Sequence, residues 1–225
     1  PGFSIVFSFF VANPASLGHF QLSIQYRFVN IQTQRLSLNG PAGAIEALRD
    51  EPLHAPQGAS VRGVAVIAHP HPLYGGTMNN KVVQTLARAF VQCGFAAVRF
   101  NFRGVGASQG IHDHGVGEAA DLLAVVDQVA PAGVPLALGG FSFGAFTTCQ
   151  AVASLWPQRP LEKIVLVGTA ASRFAVAPLP PEAHDRTLVV HGEQDDTVPL
   201  AAVMDWARPQ MLPVTVIPGV EHFFH

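Results

Sequence analysis

A glycine–serine–glycine pattern in the middle of the chain could carry nucleophilic chemistry. Gly140, Ser142 and Gly144 have the G-x-S-x-G spacing of a nucleophile elbow, and they lie between an apolar run at 135–138 and a helical pattern at 144–155. Such an elbow strains the serine backbone and brings strand and helix close together, so glycine is needed where a side chain would collide. The pattern predicts that Ser142 attacks a carbonyl carbon. The alternative is a glycine-rich helix start with an idle serine.

A serine hydroxyl is a poor nucleophile near neutral pH, so this prediction requires a base and a group that orients the base. When a serine sits on the elbow of an α/β sheet, an acid and then a histidine follow it along the chain. The segment HGEQDDTVP at 191–199 offers Asp195 and Asp196, and His222 follows an apolar run at 214–217. Both parts are therefore present in the required order.

Acyl transfer also needs two N–H groups that point at the negative oxygen of the tetrahedral intermediate. One should be the backbone N–H of Phe143, directly after the nucleophile. The other should come from the loop HPHPLYGG at 69–76, whose two prolines have no N–H to donate. The residues alone leave His71 or Leu73 as the second donor.

These candidates need a scaffold, and the hydrophobic pattern predicts one. Apolar runs bounded by glycine or proline, typical of strands buried on both faces, alternate with stretches of helical spacing. A hairpin is predicted at 31–38 and 44–48, buried strands at 64–68, 96–100, 135–138, 164–167, 188–190 and 214–217, and helices at 79–93, 117–130, 144–155 and 200–207. The sequence therefore predicts an α/β fold with a doubly wound, mostly parallel sheet, an antiparallel N-terminal edge and helices on both faces. The loops that leave the carboxyl ends of the strands should then hold the site.

Four blocks, read in order, resemble the α/β-hydrolase superfamily, and most closely its small, lid-poor bacterial serine hydrolases of the esterase or dienelactone-hydrolase kind. They are HPHPLYGG at 69–76, RFNFRGVGASQG at 99–110, GFSFGA at 140–145, and the pair HGEQDDTVP at 191–199 and EHFF at 221–224. The resemblance spans roughly residues 31–225 and implies the α/β-hydrolase fold.

Carried over to the matching positions, the resemblance implies a catalytic triad. Ser142 is then the nucleophile, Asp195 the orienting acid and His222 the base. Asp196 is the rival acid, and either aspartate could instead cap a helix or brace its loop. His225 is the rival base, and His222 could be a buried structural histidine.

The resemblance also implies where the substrate lies. It places the second oxyanion donor at the backbone N–H of His71, whose imidazole could line the pocket or only brace the loop. Residues 169–186, where many relatives insert a helical lid, can hold little more than a loop, so the pocket should be shallow and open. Phe141 and Phe224 could equally belong to the core. The expected apolar or aromatic walls are Tyr74, Phe141, Phe143, Phe223 and Phe224.

The implied activity is that of a serine hydrolase that cleaves small, largely apolar carboxylic esters through an acyl-enzyme, without a cofactor. A thioesterase or a peptidase would share every catalytic residue. A non-catalytic binding module would be favoured by the loss of a triad member, which the sequence does not show. The chain has 10 histidines, but HPHPLY departs from the His-x-His-x-Asp-His spacing of a metallo-β-lactamase-like site, so no catalytic metal is expected.

Polar residues after the strand 96–100 have simpler interpretations. The segment RGVGAS at 103–108 lacks the Lys-Ser/Thr ending of a phosphate-binding loop, and in the resembled family it is a structural turn. Asp113, Glu118 and Asp121 lie near the start of the next predicted helix, where carboxylates interact favourably with the helix dipole.

Length and composition limit the other possibilities. The chain has 225 residues, 49% of them hydrophobic and 12% charged, which favours one catalytic domain, at 29–225. Residues 1–28 contain six of the sixteen phenylalanines and read as an appendage of unknown role. The formal net charge of −2 disfavours nucleic acid as a partner, and no apolar run is long enough to span a membrane. The sequence does not indicate the oligomeric state.

Two further expectations concern the compartment and the carboxyl end. Cys93 and Cys149 lie in helical apolar segments and read as two small buried hydrophobes, which favours a reducing compartment, the cytoplasm. Relatives normally continue from the histidine loop into a final helix, whereas this sequence stops at His225. We therefore expect the fold to lack that helix, to expose an apolar patch, and to associate or bind the dye ANS.

Overall fold

The computed structural model describes residues 31–52, 61–156 and 158–225. The predicted appendage at 1–28 lies outside the described residues, and the single domain at 29–225 stays a prediction. The strands are β1 (Ile31–Gly40), β2 (Gly43–Pro52), β3 (Gly63–Ala68), β4 (Phe95–Phe100), β5 (Leu136–Phe141), β6 (Lys163–Val167), β7 (Thr187–Gly192) and β8 (Val214–Ile217). The α-helices are α1 (Lys81–Gln92), α2 (Val116–Val129), α3 (Phe143–Leu155) and α4 (Leu200–Ala207), and the 3₁₀ helices are Pro72–Tyr74, Pro181–Arg186 and Arg208–Gln210.

All eight described strands form one sheet in the order β1-β2-β4-β3-β5-β6-β7-β8. Strand β2 runs antiparallel to both of its neighbours, and every pair from β4 to β8 is parallel. The predicted α/β class, with a mostly parallel sheet and an antiparallel N-terminal edge, is confirmed. The carboxyl ends of β3, β5, β7 and β8 therefore open onto one edge of the sheet, where the loops that follow them meet.

Burial follows the sequence pattern. Every residue of β3, β4 and β5 is buried, as continuous apolar runs require when both faces of the sheet are covered. The core on one face includes buried residues of α2, α3 and α4, and the core on the other face includes the buried residues of α1. Helices therefore lie on both faces, as predicted, and hold β5 in the centre of the sheet.

Helix α1 shows how the local sequence sets these elements. The Asn80 side chain accepts a 2.9 Å hydrogen bond from Val82 N–H and caps the first turn. Buried residues at helical spacing, among them Val83, Ala87 and Phe90, form the face that meets the sheet. Gly94 follows the helix with a φ of 89°, a left-handed conformation that suits glycine and ends the helix.

The two cysteines differ in exposure. Cys149 in α3 is buried as expected, whereas the expectation for Cys93 is wrong, because this residue is exposed. Cys93 follows the last residue of α1 and lies beyond the face formed by Val83, Ala87 and Phe90. Both thiols are free within the described part of the chain.

The connection from β6 to β7 carries only the short 3₁₀ helix Pro181–Arg186, which confirms that no helical lid is built there. Of the helices in the described ranges, none combines the length and the apolar character needed to cross a bilayer.

Candidate active site

Ser142 lies in the turn from β5 to α3 with φ 56° and ψ −114°. A left-handed φ is strained for a residue with a side chain, and the tight surroundings hold it. Its N–H donates a 2.8 Å hydrogen bond to Val167 O on β6. A Cβ atom at Gly140 would overlap the carbonyl of Gly144, and one at Gly144 would overlap the carbonyl of Ala68. The predicted reason for both glycines is confirmed: strand and helix approach too closely for side chains.

His222 joins Ser142 to Asp195. Its Nδ1 lies 2.6 Å from Oδ2 of Asp195, and its Nε2 lies 3.0 Å from Oγ of Ser142. A proton on Nδ1 donates to the carboxylate, so the Nε2 lone pair faces the serine hydroxyl. All three residues are buried, with His222 only 2% exposed. This is the hydroxyl–imidazole–carboxylate arrangement that acyl transfer uses.

The loop after β7 holds the Asp195 carboxylate by its backbone. Oδ1 accepts hydrogen bonds from Thr197 N–H at 3.1 Å and Val198 N–H at 2.7 Å, which leaves Oδ2 for His222. His191 braces this loop, because its Nε2 donates to the Val198 carbonyl over 2.8 Å. The sequence motif included His191, but its bracing contact was not foreseen.

The rival residues face elsewhere. Asp196 is exposed and accepts a 3.3 Å hydrogen bond from the hydroxyl of Thr197. His225 is exposed and lies 3.3 Å from the carboxylate of Glu221. The structure therefore brings Asp195 and His222 to Ser142 and leaves Asp196 and His225 at the surface.

The side chains of the two residues expected to supply the oxyanion donors are in contact. Among the described residues, neither Phe143 N–H nor His71 N–H has a hydrogen-bond acceptor, and the rings of these two residues are 4.8 Å apart. The other candidate, Leu73 N–H, already donates to Nδ1 of His71 at 3.2 Å. Of the two candidates for the second oxyanion donor, the N–H of His71 is therefore the one without an acceptor among the described residues.

The His71 side chain is half-buried. Its Nδ1 accepts from Leu73 N–H, so the neutral ring carries its proton on Nε2. Burial lowers the pKa of His71, the neighbouring His112 lowers it further, and the Glu118 carboxylate opposes the change. The ring is therefore neutral near pH 7. It braces the loop while it lies against Phe143 and Tyr74.

His69 ties the same loop to the one after β4. Its Nε2 accepts a 3.0 Å hydrogen bond from Phe102 N–H, so Nδ1 carries the proton and donates to the Pro70 carbonyl at 2.6 Å. Burial lowers the pKa of His69 to about 4. A neutral imidazole with two backbone partners thus fixes the chain just before His71.

Some of the expected pocket walls lie at the surface and others lie in the core. Tyr74 and Phe223 are 87% and 44% exposed, and their rings lie beside the imidazoles of His71 and His222. Phe141 and Phe143 have no exposed surface, so their assignment as walls is corrected. The Phe141 ring packs behind His222 at 5.0 Å, and Phe143 packs into the core under the loop of His71. Phe224 is partly buried against the core on the α1 face.

Phe174 is a contributor that the sequence did not reveal. It follows β6, in the stretch where a lid was considered, and its ring stacks on Phe146 with centroids 4.6 Å apart. It also lies 5.3 Å from the Phe143 ring and 5.9 Å from the His71 ring. A single phenylalanine in an alanine- and proline-rich segment has no periodicity that would identify it.

The carboxylates at the start of α2 accept specific hydrogen bonds in addition to interacting with the helix dipole. Asp121 is buried and binds the Arg103 guanidinium through both oxygens, at 2.8 and 2.9 Å. Hydrogen bonding to Asp121 raises the pKa of Arg103. Glu118 is also fully buried, in the first turn of α2, so both carboxylates lie inside the fold. The arginine loop is braced from within, in keeping with a structural turn.

An open depression of about 470 Å³ lies between the loop of His71 and the loop that follows β4. Apolar and imidazole side chains share its lining. The lining residues are Pro72, Leu73, Arg103, Gly104, Val105, Gly110, Ile111, His112 and His114. In the described ranges, no group of three or more His, Cys, Asp or Glu side chains is arranged to hold a metal ion.

Comparison with known proteins agrees with this geometry. The family model described as serine aminopeptidase, S33, matches residues 59–182. An α/β serine hydrolase without a lid, from Xanthomonas campestris, is 36% identical over 86% of this chain and 87% of that chain, with a TM-score of 0.74. An α/β serine hydrolase homologue from Coxiella burnetii is 36% identical over 89% of this chain and 93% of that chain, with a TM-score of 0.69.

A curated relative, an uncharacterized protein of Rickettsia prowazekii, is 42% identical over 121 residues. The match covers 52% of this chain and 49% of that protein, so the chain spans about half the length of the curated relative it matches.

Proposed function

The chain belongs to the α/β serine hydrolases, and from this membership we propose that it cleaves small, largely apolar carboxylic esters through Ser142, His222 and Asp195. One observation carries the proposal. The imidazole of His222 lies within hydrogen-bond distance of the Ser142 hydroxyl on one side and of the Asp195 carboxylate on the other. A base held in this tautomer removes the proton that makes serine a poor nucleophile.

The reaction follows from these positions. Nε2 of His222 takes the proton of Ser142 as Oγ attacks the ester carbonyl carbon. The negative oxygen accepts hydrogen bonds from the N–H groups of Phe143 and His71, each worth about 2.7–4 kcal/mol in the transition state. The imidazolium returns its proton to the leaving alcohol. A water molecule, activated by the same base, then releases the acid from the acyl-enzyme.

The surroundings favour apolar substrates. Tyr74 and Phe223 present exposed aromatic rings on the rim, and Leu73 and Ile111 are 67% and 83% exposed. Apolar side chains of this kind bind acyl or aryl groups by burying their surface. Short acyl or aryl esters therefore suit this site better than charged substrates.

A peptidase is the second candidate, because the matching family model carries that description. An aminopeptidase must hold the α-ammonium group of its substrate, for which a free carboxylate is the natural partner. Near His71, the α2 residues Glu118 and Asp121 are buried and already hydrogen-bonded, and Asp113 on the preceding loop lies 3.8 Å from Arg103. These engaged carboxylates favour the ester over the peptide.

The cellular compartment is also part of the proposal. We infer that it works in a reducing compartment, the cytoplasm, because Cys93 and Cys149 are both free thiols. The proposed substrate is a small molecule that requires neither a cofactor nor a nucleic-acid partner.

The test combines a fluorophosphonate probe, which forms a covalent bond to an activated serine, with turnover of p-nitrophenyl acetate and butyrate. We expect the wild type to be labelled and Ser142→Ala to be unlabelled, with turnover at least about 10³-fold lower. Ser154→Ala is the matched control, since Ser154 is an exposed serine on α3. Its labelling and turnover should equal those of the wild type.

Two results would overturn the proposal. A folded wild type that the probe does not label has no activated serine. Turnover that survives in Ser142→Ala and disappears with a chelator belongs to a metal-dependent hydrolase. Aminoacyl p-nitroanilides in the same assay decide between the candidates, because a peptidase would turn these amides over with a kcat/KM comparable to that for the esters.

A further inference from the structure

A second buried carboxylate–imidazole contact lies beside His71 and Phe143. Oε1 of Glu118 accepts a 2.9 Å hydrogen bond from Asp113 N–H, and Oε2 accepts a 2.7 Å hydrogen bond from Gly115 N–H. Nδ1 of His112 lies 2.8 Å from Oε1, a close polar contact that lacks the geometry of a hydrogen bond. The side chains of His112 and Glu118 are 8% and 0% exposed. The carboxylate thus folds the loop before α2 around itself and packs against the imidazole.

The His112 ring touches both residues whose N–H groups we propose for the oxyanion. Its centroid lies 4.9 Å from the ring of His71 and 5.6 Å from the ring of Phe143. The rings of His71 and Phe143 are themselves 4.8 Å apart, so the three rings form a closed triangle. These residues come from three separate segments, after β3, after β4 and at the start of α3.

We propose that His112, held by Glu118, is a positioning residue that fixes the oxyanion-hole donors of His71 and Phe143 relative to each other. This inference rests on the proposed function. His112 does not touch the reacting atoms; it acts through the two rings that it joins. The carboxylate supplies the fixed point, because its backbone hydrogen bonds hold it in the loop independently of either donor.

The loop of His71 is held at one end and turns on itself at the other. The peptide group that carries the His71 N–H is held through its Pro70 carbonyl, which accepts from Nδ1 of His69. Beyond it the backbone hydrogen bonds are made within the turn, from Tyr74 and Gly76 N–H to the His71 carbonyl and from Gly75 N–H to the Pro72 carbonyl. The rings of His112 and Phe143 contact the His71 side chain from the other two segments. Donors that stabilise a transition state act only when held close to the productive geometry, and a displacement of about 1 Å can cost roughly 10²-fold in rate.

The experiment compares His112→Phe with Val116→Phe. Phenylalanine keeps a ring in the triangle and removes the nitrogen that faces Glu118. Val116 is the control, because it is 72% exposed at the start of α2, four residues after His112, and does not line the depression. The readouts are kcat and KM for p-nitrophenyl butyrate, the affinity for an alkylboronic acid that mimics the tetrahedral intermediate, and thermal unfolding.

In His112→Phe we expect kcat to fall about tenfold with KM within about twofold of the wild type, and the boronic acid affinity to fall by the same factor as kcat. Val116→Phe should match the wild type in all three readouts. A loss of packing alone would lower the unfolding temperature without this proportional loss of transition-state affinity. Should His112→Phe fail to unfold cooperatively, His112→Gln replaces it: its amide N–H can still face Glu118, and we expect it to retain at least half of the wild-type kcat.

Unchanged kcat in a folded His112→Phe overturns the inference, as does an equal loss in Val116→Phe, or a kcat in His112→Gln far below half of the wild type. In each of these cases the Ser142-dependent activity of the wild type, and with it the proposed function, stands. A wild type without probe labelling overturns the proposed function and this inference together.

Discussion

Two buried carboxylate–imidazole contacts lie in this part of the molecule, and their carboxylates are anchored alike. Asp195 and Glu118 each accept two backbone N–H groups, and each lies within 3 Å of Nδ1 of a histidine, at 2.6 Å for His222 and 2.8 Å for His112. Both carboxylates are fully buried at their side chains. Only the contact of Asp195 with His222 is a hydrogen bond, and the surface that the imidazole presents also differs. His222 directs Nε2 at the Ser142 hydroxyl, whereas His112 lies against two aromatic side chains.

The difference shows that a buried carboxylate–imidazole contact does not by itself define a catalytic base. The carboxylate fixes a ring, and the neighbour of that ring decides its role. Beside a hydroxyl the ring can remove a proton. Beside the residues proposed to carry the oxyanion donors it can only hold them in place. In the proposed mechanism the contact of Asp195 with His222 therefore serves proton transfer, and the contact of Glu118 with His112 serves positioning.

The largest expected effect comes from weakening the first contact. Asp195→Asn removes the charge opposite His222 and favours the wrong imidazole tautomer, so we expect kcat to fall by roughly 10³–10⁴-fold. The matched control is Asp196→Asn, an exposed neighbour whose variant should keep kcat within about twofold of the wild type. Steady-state turnover of p-nitrophenyl butyrate measures both. A large loss in Asp196→Asn with a small one in Asp195→Asn would reverse the assignment of the acid.

The sequence predicted the residues of the contact between Asp195 and His222 but not those of the contact between Glu118 and His112. The blocks GFSFGA, HGEQDDTVP and EHFF lie directly after strands, so their order and placement predicted that Ser142, Asp195 and His222 meet at one edge. The fold class followed from the same alternation of strands and helices. In contrast, His112 and Glu118 carry no pattern of their own. Their contact depends on how the loop after β4 curls around a buried carboxylate, which periodicity does not report.

The same limit explains the aromatic residues. The sequence left Phe141 as either a pocket wall or a core residue, and alternation along β5 turns its ring into the core behind His222. Phe174 was missed because its partners are distant in sequence. Positions on a strand or next to a motif can be inferred from local pattern. Contacts made by irregular loops depend on tertiary packing, and these contacts surround the proposed oxyanion hole.

A third buried imidazole, that of His69, has backbone groups as its hydrogen-bond partners instead of a carboxylate. Its pKa is lowered to about 4 by burial, below the usual 6.5, so the unfolded chain binds a proton here between these pH values and the folded protein does not. Stability contributed by this site is therefore complete above pH 6.5 and is lost as the pH falls toward 4. A difference of about 2.5 pKa units corresponds to about 3 kcal/mol.

His69→Gln provides the measurement, because a glutamine amide can accept from Phe102 N–H and donate to the Pro70 carbonyl without titrating. We expect the free energy of unfolding in urea to fall between pH 6.5 and 4 by about 3 kcal/mol more in the wild type than in His69→Gln. The other groups that bind protons in this range are the same in both proteins, so their contributions cancel. Equal pH slopes in the two proteins would mean that His69 is not held neutral by burial.

The smallest effect on rate is expected at Phe174, and it separates the two ways of holding the oxyanion donors. Like His112, Phe174 contacts the rings of His71 and Phe143, but it does so only by apolar packing from a loop without a buried charged partner. We expect Phe174→Ala to lose about 1–2 kcal/mol of unfolding free energy, since the ring is half-buried, and to lower kcat less than about threefold. Urea unfolding and p-nitrophenyl butyrate turnover measure the two quantities. If Phe174→Ala lowered kcat as much as His112→Phe, apolar packing alone would align the donors, and the Glu118 contact would have no separate role in catalysis.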